Sequence, residues 1–204
     1  MSPRAPITRF AGRYVVLPGQ NIDTDQIIPA RFLKTTTREG LGPHVFHDRR
    51  YRAGGQLDPA FPLNRPEAAG AEVLVAGPNF GCGSSREHAV WALQGAGFRA
   101  VVSSGFADIF RGNALGNGLV PVQVEEGVVA MLERAAAPGA AVTIDLMTRT
   151  LALPDGSDVR FPLPAFARHC LVHGIDEMDF ILNAEPDVAR YEQAHPPRVG
   201  TLMV

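Results

Sequence analysis

Residues 71–95 run AEVLVAGPNFGCGSSREHAVWALQG, and three kinds of segment meet in them. Ala71 to Ala76 is a short apolar run rich in Val and Leu, the pattern of a strand buried on both faces. Gly77 to Ser85 is rich in glycine and small polar residues, and from Arg86 to Gly95 the spacing of Val90, Trp91 and Leu93 becomes helical. Strand, glycine loop and helix in that order open a parallel β-α-β unit.

The pattern continues on both sides. Downstream, Ala100 to Ser103 predicts a strand, Ala107 to Leu115 a helix and Leu119 to Val124 a third strand. A helix near Val128 to Ala136 and a strand near Ala141 to Leu146 follow. Thr150 to Leu153 and Val159 to Leu163 then flank Pro154-Asp155-Gly156-Ser157, a hairpin signal. Helical spacing returns at Pro164 to Val172 and Pro186 to Ala194. Upstream, Phe10 to Leu17 predicts a strand ended by Pro18-Gly19, and Asn21 to Asp25 a polar turn. Gln26 to Leu33 is a short apolar piece broken by Pro29. Between Lys34 and Pro66 glycine and proline interrupt every pattern, and loops of that length are often lids or binding loops. The expectation is one compact α/β domain over residues 1–204, with an added antiparallel hairpin and a mobile loop at 34–66.

Composition narrows the classes of function. The 204 residues carry 19 Lys+Arg against 21 Asp+Glu, a formal net charge of −2, with 46% hydrophobic and 20% charged residues. This is the composition of a folded globular chain. Its balanced charge argues against nucleic acid, which needs clustered cations. The densest basic group, Arg49, Arg50 and Arg52, is too short for a groove-lining stripe and reads as a solvated loop. Two cysteines, Cys82 and Cys170, permit at most one bridge and cannot hold an iron–sulfur cluster alone. No apolar run reaches the roughly 20 residues that span a bilayer. The segment Met1 to Pro6 lacks the apolar core of a signal peptide, so the chain is expected to be cytoplasmic, away from membranes.

The chemistry concentrates where the glycine loop meets the helix. Backbone N–H groups at a helix start have no intrahelical acceptor, and the helix dipole favours an anion there. Gly81 and Gly83 allow a ligand to approach the backbone closely, and Arg86 is suited to grip a carboxylate through two parallel hydrogen bonds. A carboxylate or phosphate site follows. It is not a P-loop, because Arg86-Glu87 stands where Gly-Lys-Ser/Thr belongs. The dinucleotide fingerprint fails too, since Arg86 takes the third glycine's place, and the chain has no Gly-x-Ser-x-Gly elbow. A structural reading stands beside the chemical one: Ser84 as helix cap with Glu87, three residues on, reciprocating. The two are compatible, and the residues alone leave both open.

Other candidates are weaker. His169 and His173 are four apart on a predicted helix, but two imidazoles without a third ligand make a poor zinc site. His44 and His47 lie in the long loop as solvated side chains or substrate contacts. Lys34, the only lysine, is the single candidate for Schiff-base chemistry, with nothing else in support. His88 suits a role in shaping the loop, and Asp23 and Asp25 suit a turn or the steering of a substrate or partner.

Phe80-Gly81-Cys82-Gly83-Ser84-Ser85-Arg86-Glu87-His88, with Asn21-Ile22-Asp23-Thr24-Asp25-Gln26-Ile27-Ile28-Pro29 upstream, resembles the 3-isopropylmalate dehydratase small-subunit family, free-standing counterparts of the aconitase swivel domain. The resemblance runs on through Ser104 to Phe110, Asn113 to Pro121 and Arg168-His169-Cys170, in order from about residue 8 to about residue 194. It implies a three-layer β/β/α swivelling domain. It further implies a large-subunit partner carrying a 4Fe-4S cluster, no cofactor on this chain, and the interconversion of 2- and 3-isopropylmalate in leucine biosynthesis by removal and return of water.

By the same resemblance Ser84 is the catalytic base, taking a proton from the carbon beside the departing hydroxyl. Ser85, Arg86 and the loop glycines Gly81 and Gly83 hold the substrate. Arg31-Phe32-Leu33-Lys34 matches the segment that tunes substrate choice, Phe32 and Leu33 suiting an apolar branch and Arg31 and Lys34 an acidic substrate. Homoaconitase and the citramalate or dimethylmalate dehydratases are related alternatives. A carboxylate-binding module without chemistry is the competitor from another class.

Overall fold

The structure, a computed structural model, describes residues 5–195. The stretch Met1 to Arg4, on which the absence of a leader was argued, lies outside them, as does the end of the 1–204 span beyond residue 195.

Seven strands form one mixed sheet. They are β1 (Arg9–Leu17), β2 (Val73–Ala76), β3 (Ala100–Ser103), β4 (Val120–Gln123), β5 (Ala141–Asp145), β6 (Thr150–Ala152) and β7 (Asp158–Arg160), in spatial order β4-β3-β2-β1-β5-β6-β7. β1 to β4 are parallel, and β5 to β7 continue antiparallel from the other edge of β1. The two halves follow from their sequences. All four residues of β2 and of β3 are buried, as strands covered on both faces must be, whereas β5 alternates. The β6–β7 hairpin pairs Thr150 with Arg160 and Ala152 with Asp158, as its turn residues predict.

Helices alternate with the parallel strands. After the short α1 (Thr24–Ile27) and α2 (His47–Arg50) come α3 (Glu87–Gly95), α4 (Asp108–Asn117), α5 (Glu126–Arg134), α6 (Ala165–His173), α7 (Glu177–Asn183) and α8 (Glu185–Ala194). Two apolar clusters divide the core by strand alternation. Leu17, Leu74, Ala76 and Val101 face α1, α3 and α4, with Phe80, Leu93 and Phe110. Val73, Val75, Val102 and Val120 point the other way, toward Ile144 and Leu151 of the antiparallel half and Val129 and Leu132 of α5. A parallel layer thus lies between a helical layer and the curled antiparallel strands, the expected β/β/α order.

The 34–66 segment is more structured than its glycines and prolines suggested. Turns of 3-10 helix form at Gly42–His44 and Pro62–Asn64, with α2 between them. Leu41, Val45, Phe46 and Phe61 are buried in the first core cluster. The basic group there is not simply solvated: Arg50 Nε donates to Asn64 Oδ1 at 3.0 Å, Arg52 pairs with Asp58 at 2.8 Å, and Arg49 lies over the Phe61 ring. The cations pin the loop to itself, which a charge count along the chain does not reveal. Gln26 to Leu33, expected as one apolar piece, is split by Pro29 into α1 and a 3-10 turn at Ala30–Phe32.

Candidate active site

The glycine loop leaves the carboxyl end of β2, the end at which ligands bind in open α/β sheets. It is clamped between the segments that follow β1 and β3. Asn21 N–H donates to the Pro78 carbonyl at 3.0 Å and Gly81 N–H to that of Ile22 at 2.8 Å. On the other side Phe80 N–H donates to Gly105 and Ala107 N–H to Phe80, while the Ser103 hydroxyl donates to the Gly77 carbonyl at 2.7 Å. Phe80 anchors the loop from below, its ring edge-on to Phe110 at 5.2 Å.

Two glycines shape the tip. Gly81 has φ +76° and Gly83 φ +89°, a left-handed backbone that other residues adopt at a cost of roughly 1–2 kcal/mol. A Cβ on Gly81 would overlap the buried Phe110 ring, whereas one on Gly83 would meet nothing nearer than Asp23 Cβ at 3.5 Å. Gly81 therefore answers to packing, and its N–H is already bonded to Ile22. Gly83 is exposed and leaves the backbone open.

Ser84 and Ser85 follow, both exposed. Among the described residues no group bonds to either hydroxyl, and none accepts from the N–H of Gly83, Ser84 or Ser85. The capping box that the sequence left open is absent. Arg86 is the residue before the first turn of α3, in extended conformation and without a side-chain cap, so the helix starts too late for Ser84 to reach it. Glu87 turns instead to α4, its Oε1 accepting from Asn117 Nδ2 at 2.7 Å, and Asn117 Oδ1 accepts from Trp91 Nε1 at 2.9 Å. What remains at Ser84 is an uncommitted hydroxyl beside uncommitted N–H groups.

α1 is stapled to the loop. Thr24 N–H donates to the Cys82 carbonyl and the Thr24 hydroxyl to that of Ser84, each at 2.9 Å. Asp23 caps α1, accepting from Gln26 N–H at 2.7 Å, so it serves the turn. Asp25 forms an ion pair with Arg86 Nη1. Thr24 was not singled out in the sequence; its signal was the residue following a capping Asp.

The second group of candidates lies at the far end of α1. Arg31 is paired with Asp48, through Nη1 at 2.9 Å and also through Nη2, which lies 2.9 Å from His47 Nδ1. The Arg31 hydrogen bonds hold the Asp48 carboxyl below the usual carboxylate range, with His47 adding to the effect. Phe32 stacks on His44 at 4.0 Å and is half-buried, and Leu33 packs against the core. Burial pushes the His44 imidazole below its ordinary value, and His47 and Arg31 push it further. His88 Nε2 is 2.9 Å from the Thr35 carbonyl, which ties the start of the long loop to α3. The Ser84 and Arg31 groups are thus carried by one short helix and its flanks.

The remaining candidates do not join this site. His169 and His173 are packed ring on ring at 4.2 Å, with Phe180 edge-on to His169. Among the described residues no three His, Cys, Asp or Glu side chains are placed to hold a metal ion, and Cys82 and Cys170 are not joined by a disulfide. A cavity of about 610 Å³ lies elsewhere, between β1, Pro62 and the end of α5. The Ser84 loop is an exposed surface. Among the described residues no helix is long and apolar enough to cross a membrane.

Comparison with known proteins identifies the family. Residues 5–127 match the family described as aconitase C-terminal domain. The 3-isopropylmalate dehydratase small subunit of Roseiflexus castenholzii is 56% identical over 200 residues, covering 96% of this chain and 97% of that protein. The protein of the same name from Anaeromyxobacter sp. strain K is 58% identical over 187 residues, covering 92% and 97%. Among solved structures, the 3-isopropylmalate dehydratase from Methanocaldococcus jannaschii superposes with a TM-score of 0.65 at 29% identity, covering 90% of this chain and 99% of that one.

Proposed function

The chain belongs to the aconitase C-terminal domain family, among its 3-isopropylmalate dehydratase small subunits, and we propose that Ser84 is the base with which it serves the isomerisation of 2- and 3-isopropylmalate. As such a subunit it is half of a heteromeric hydro-lyase of leucine biosynthesis, and its partner is the large subunit. The observation that carries the base assignment is the Ser84 hydroxyl, exposed and uncommitted beside the equally uncommitted N–H groups of Gly83, Ser84 and Ser85.

A serine hydroxyl is far too weak an acid to serve as base unaided. The free backbone N–H groups of the glycine loop, together with the positive charge of Arg86, must stabilise the alkoxide once water is excluded. On this reading Arg86 grips one carboxylate of the substrate, Ser85 and Gly83 orient it, and Ser84 takes the proton from the carbon beside the hydroxyl. The hydroxyl leaves on the side of the large subunit, and water returns with the positions exchanged. Phe32 and Leu33 suit the apolar branch of isopropylmalate, and Arg31, anchored by Asp48, offers a positive charge to an acidic group of the substrate.

The open surface around Ser84 supports a site closed from outside. With two cysteines and no metal-ligand group among its described residues, the chain does not fit a 4Fe-4S cluster. We place that cluster on the large subunit and the enzyme in the cytoplasm. The test is anaerobic turnover of 3-isopropylmalate by this chain mixed with a cluster-loaded large subunit, each chain alone, and Ser84→Ala in the mixture. Only the wild-type mixture should be active, with Ser84→Ala slower by about 10²–10⁴-fold and still assembled. Turnover by the isolated chain, or an active Ser84→Ala mixture, refutes the assignment.

A further inference from the structure

We infer that Asp25 is a positioning residue, which aims the Arg86 guanidinium at the substrate carboxylate and keeps it in register with Ser84. The inference rests on the proposed role of this loop and deepens it. Arg86 is the less exposed member of the ion pair, its side chain 16% exposed against 57% for Asp25. A guanidinium presents five N–H donors in a rigid plane, and a carboxylate gripped along one edge requires the plane to be held at a fixed angle. Asp25 Oδ1 takes one donor, on Nη1. Among the described residues no other side chain or carbonyl accepts from Arg86, so the rest of the fork is available to a ligand.

The holder is itself held. Asp25 sits in the first turn of α1, whose cap is Asp23 and whose Thr24 is bonded at 2.9 Å both to the Cys82 carbonyl and to the Ser84 carbonyl. Asp25, Thr24 and the backbone of Ser84 therefore form one rigid unit, with Arg86 pinned to it by the ion pair. The charge on the fork and the oxygen that removes the proton are set from the same four-residue helix. The opposite reading makes Asp25 a stand-in carboxylate that substrate must displace. The contact through one nitrogen, which leaves the fork's other donors unoccupied, favours positioning, and the two readings predict opposite signs.

The test is steady-state turnover of 3-isopropylmalate by the assembled enzyme with Asp25→Ala, Asp25→Asn and Arg86→Lys, singly and with Asp25→Ala and Arg86→Lys combined. Asp25→Ala should raise KM about tenfold with kcat within a few-fold, the mark of lost substrate binding. Asp25→Asn, which still offers an acceptor to Nη1, should recover part of that loss. In the Arg86→Lys background, where no fork remains to be aimed, Asp25→Ala should change KM no further. A KM that falls in Asp25→Ala overturns the inference in favour of the stand-in, and an equal rise in both backgrounds shows that Asp25 does not act through Arg86. A second readout needs neither partner nor substrate. In the isolated chain the Arg86 guanidinium nitrogens should give distinct, slowly rotating NMR signals that average in Asp25→Ala, and averaging already in the wild type overturns the inference. An inert wild-type mixture would instead refute the substrate reading.

Discussion

Replacing Gly81 by alanine separates two demands that one short loop makes of its glycines. At φ +76° the alanine adopts a left-handed backbone, at roughly 1–2 kcal/mol. Its methyl group also enters the space of the Phe110 ring, which is 2% exposed and packed edge-on against Phe80, and overpacking of that kind costs about 1–3 kcal/mol. The sum is roughly 2–5 kcal/mol. For a chain of this length each kcal/mol lowers the melting temperature by about 2–4 °C, which gives a fall of about 10 °C. Gly83→Ala is the control, because its φ of +89° demands the same backbone while the nearest atom to its methyl is Asp23 Cβ at 3.5 Å. It should lose only the backbone share, roughly 1–2 kcal/mol. Both variants are melted as isolated chains by circular dichroism, then assayed with the large subunit. If Gly81→Ala melts within about 2 °C of Gly83→Ala, the packing of Phe110 beneath the loop does not govern its shape, and the account of the site from below is wrong.

Three further outcomes follow from the same geometry. Tyr14→Phe removes a buried donor whose hydroxyl lies 3.0 Å from the Leu132 carbonyl, and should cost about 1 kcal/mol in urea unfolding; no measurable change would show the bond contributes nothing. Because His44 is held below its ordinary value, the unfolded chain takes up a proton before the folded one as pH falls through the histidine range. Stability should then decline toward acid pH, and His44→Gln should flatten that part of the urea-midpoint profile; an unchanged profile would refute it. We further propose that the mobile part of the 34–66 segment in the isolated chain is residues 36–40, all of them exposed, and that it orders on assembly. Hydrogen exchange should be fast at 36–40 and slow around Leu41 to Phe46, and full protection of both stretches without the partner would contradict this.

The sequence was most legible where one local pattern had a single tertiary solution. The buried run at Val73–Ala76, the strand Ala100–Ser103 and the turn at Asp155-Gly156 each match their element to within two or three residues. Legibility failed where the deciding contact lay far away in the chain. Phe46 and Phe61 look like isolated aromatics in a broken loop, yet they are buried because the helical layer needs a cover. α7 was missed because its run Met178 to Leu182 is exposed, without the one-sided spacing that marks a packed helix, and because its capping box uses Asp179 instead of Glu or Gln. At the site, the glycines, serines and arginine were visible as a group. The capping of α3 by Ser84, one of the two readings the residues left open, is absent, since the helix begins only at Glu87. The pairing of Asp25 with Arg86 spans 61 residues of chain, and no local spacing foretells it.

The place of β1 at the centre of the sheet has a consequence for how the chain is made. One edge of β1 waits for Val73–Ala76, and the other waits for Ala141–Asp145. At about 5–20 residues per second, on the order of ten seconds separate the synthesis of Leu17 from that of Ala141. Through that interval the first strand to leave the ribosome carries an unpaired edge, with Phe10 and Tyr14 uncovered on one face. A nascent chain in that condition invites pairing with a neighbour on the same message. Its escape from aggregation therefore depends on how fast translation proceeds, and synonymous codon changes that slow residues 20–140 should lower the soluble yield of an unaltered protein.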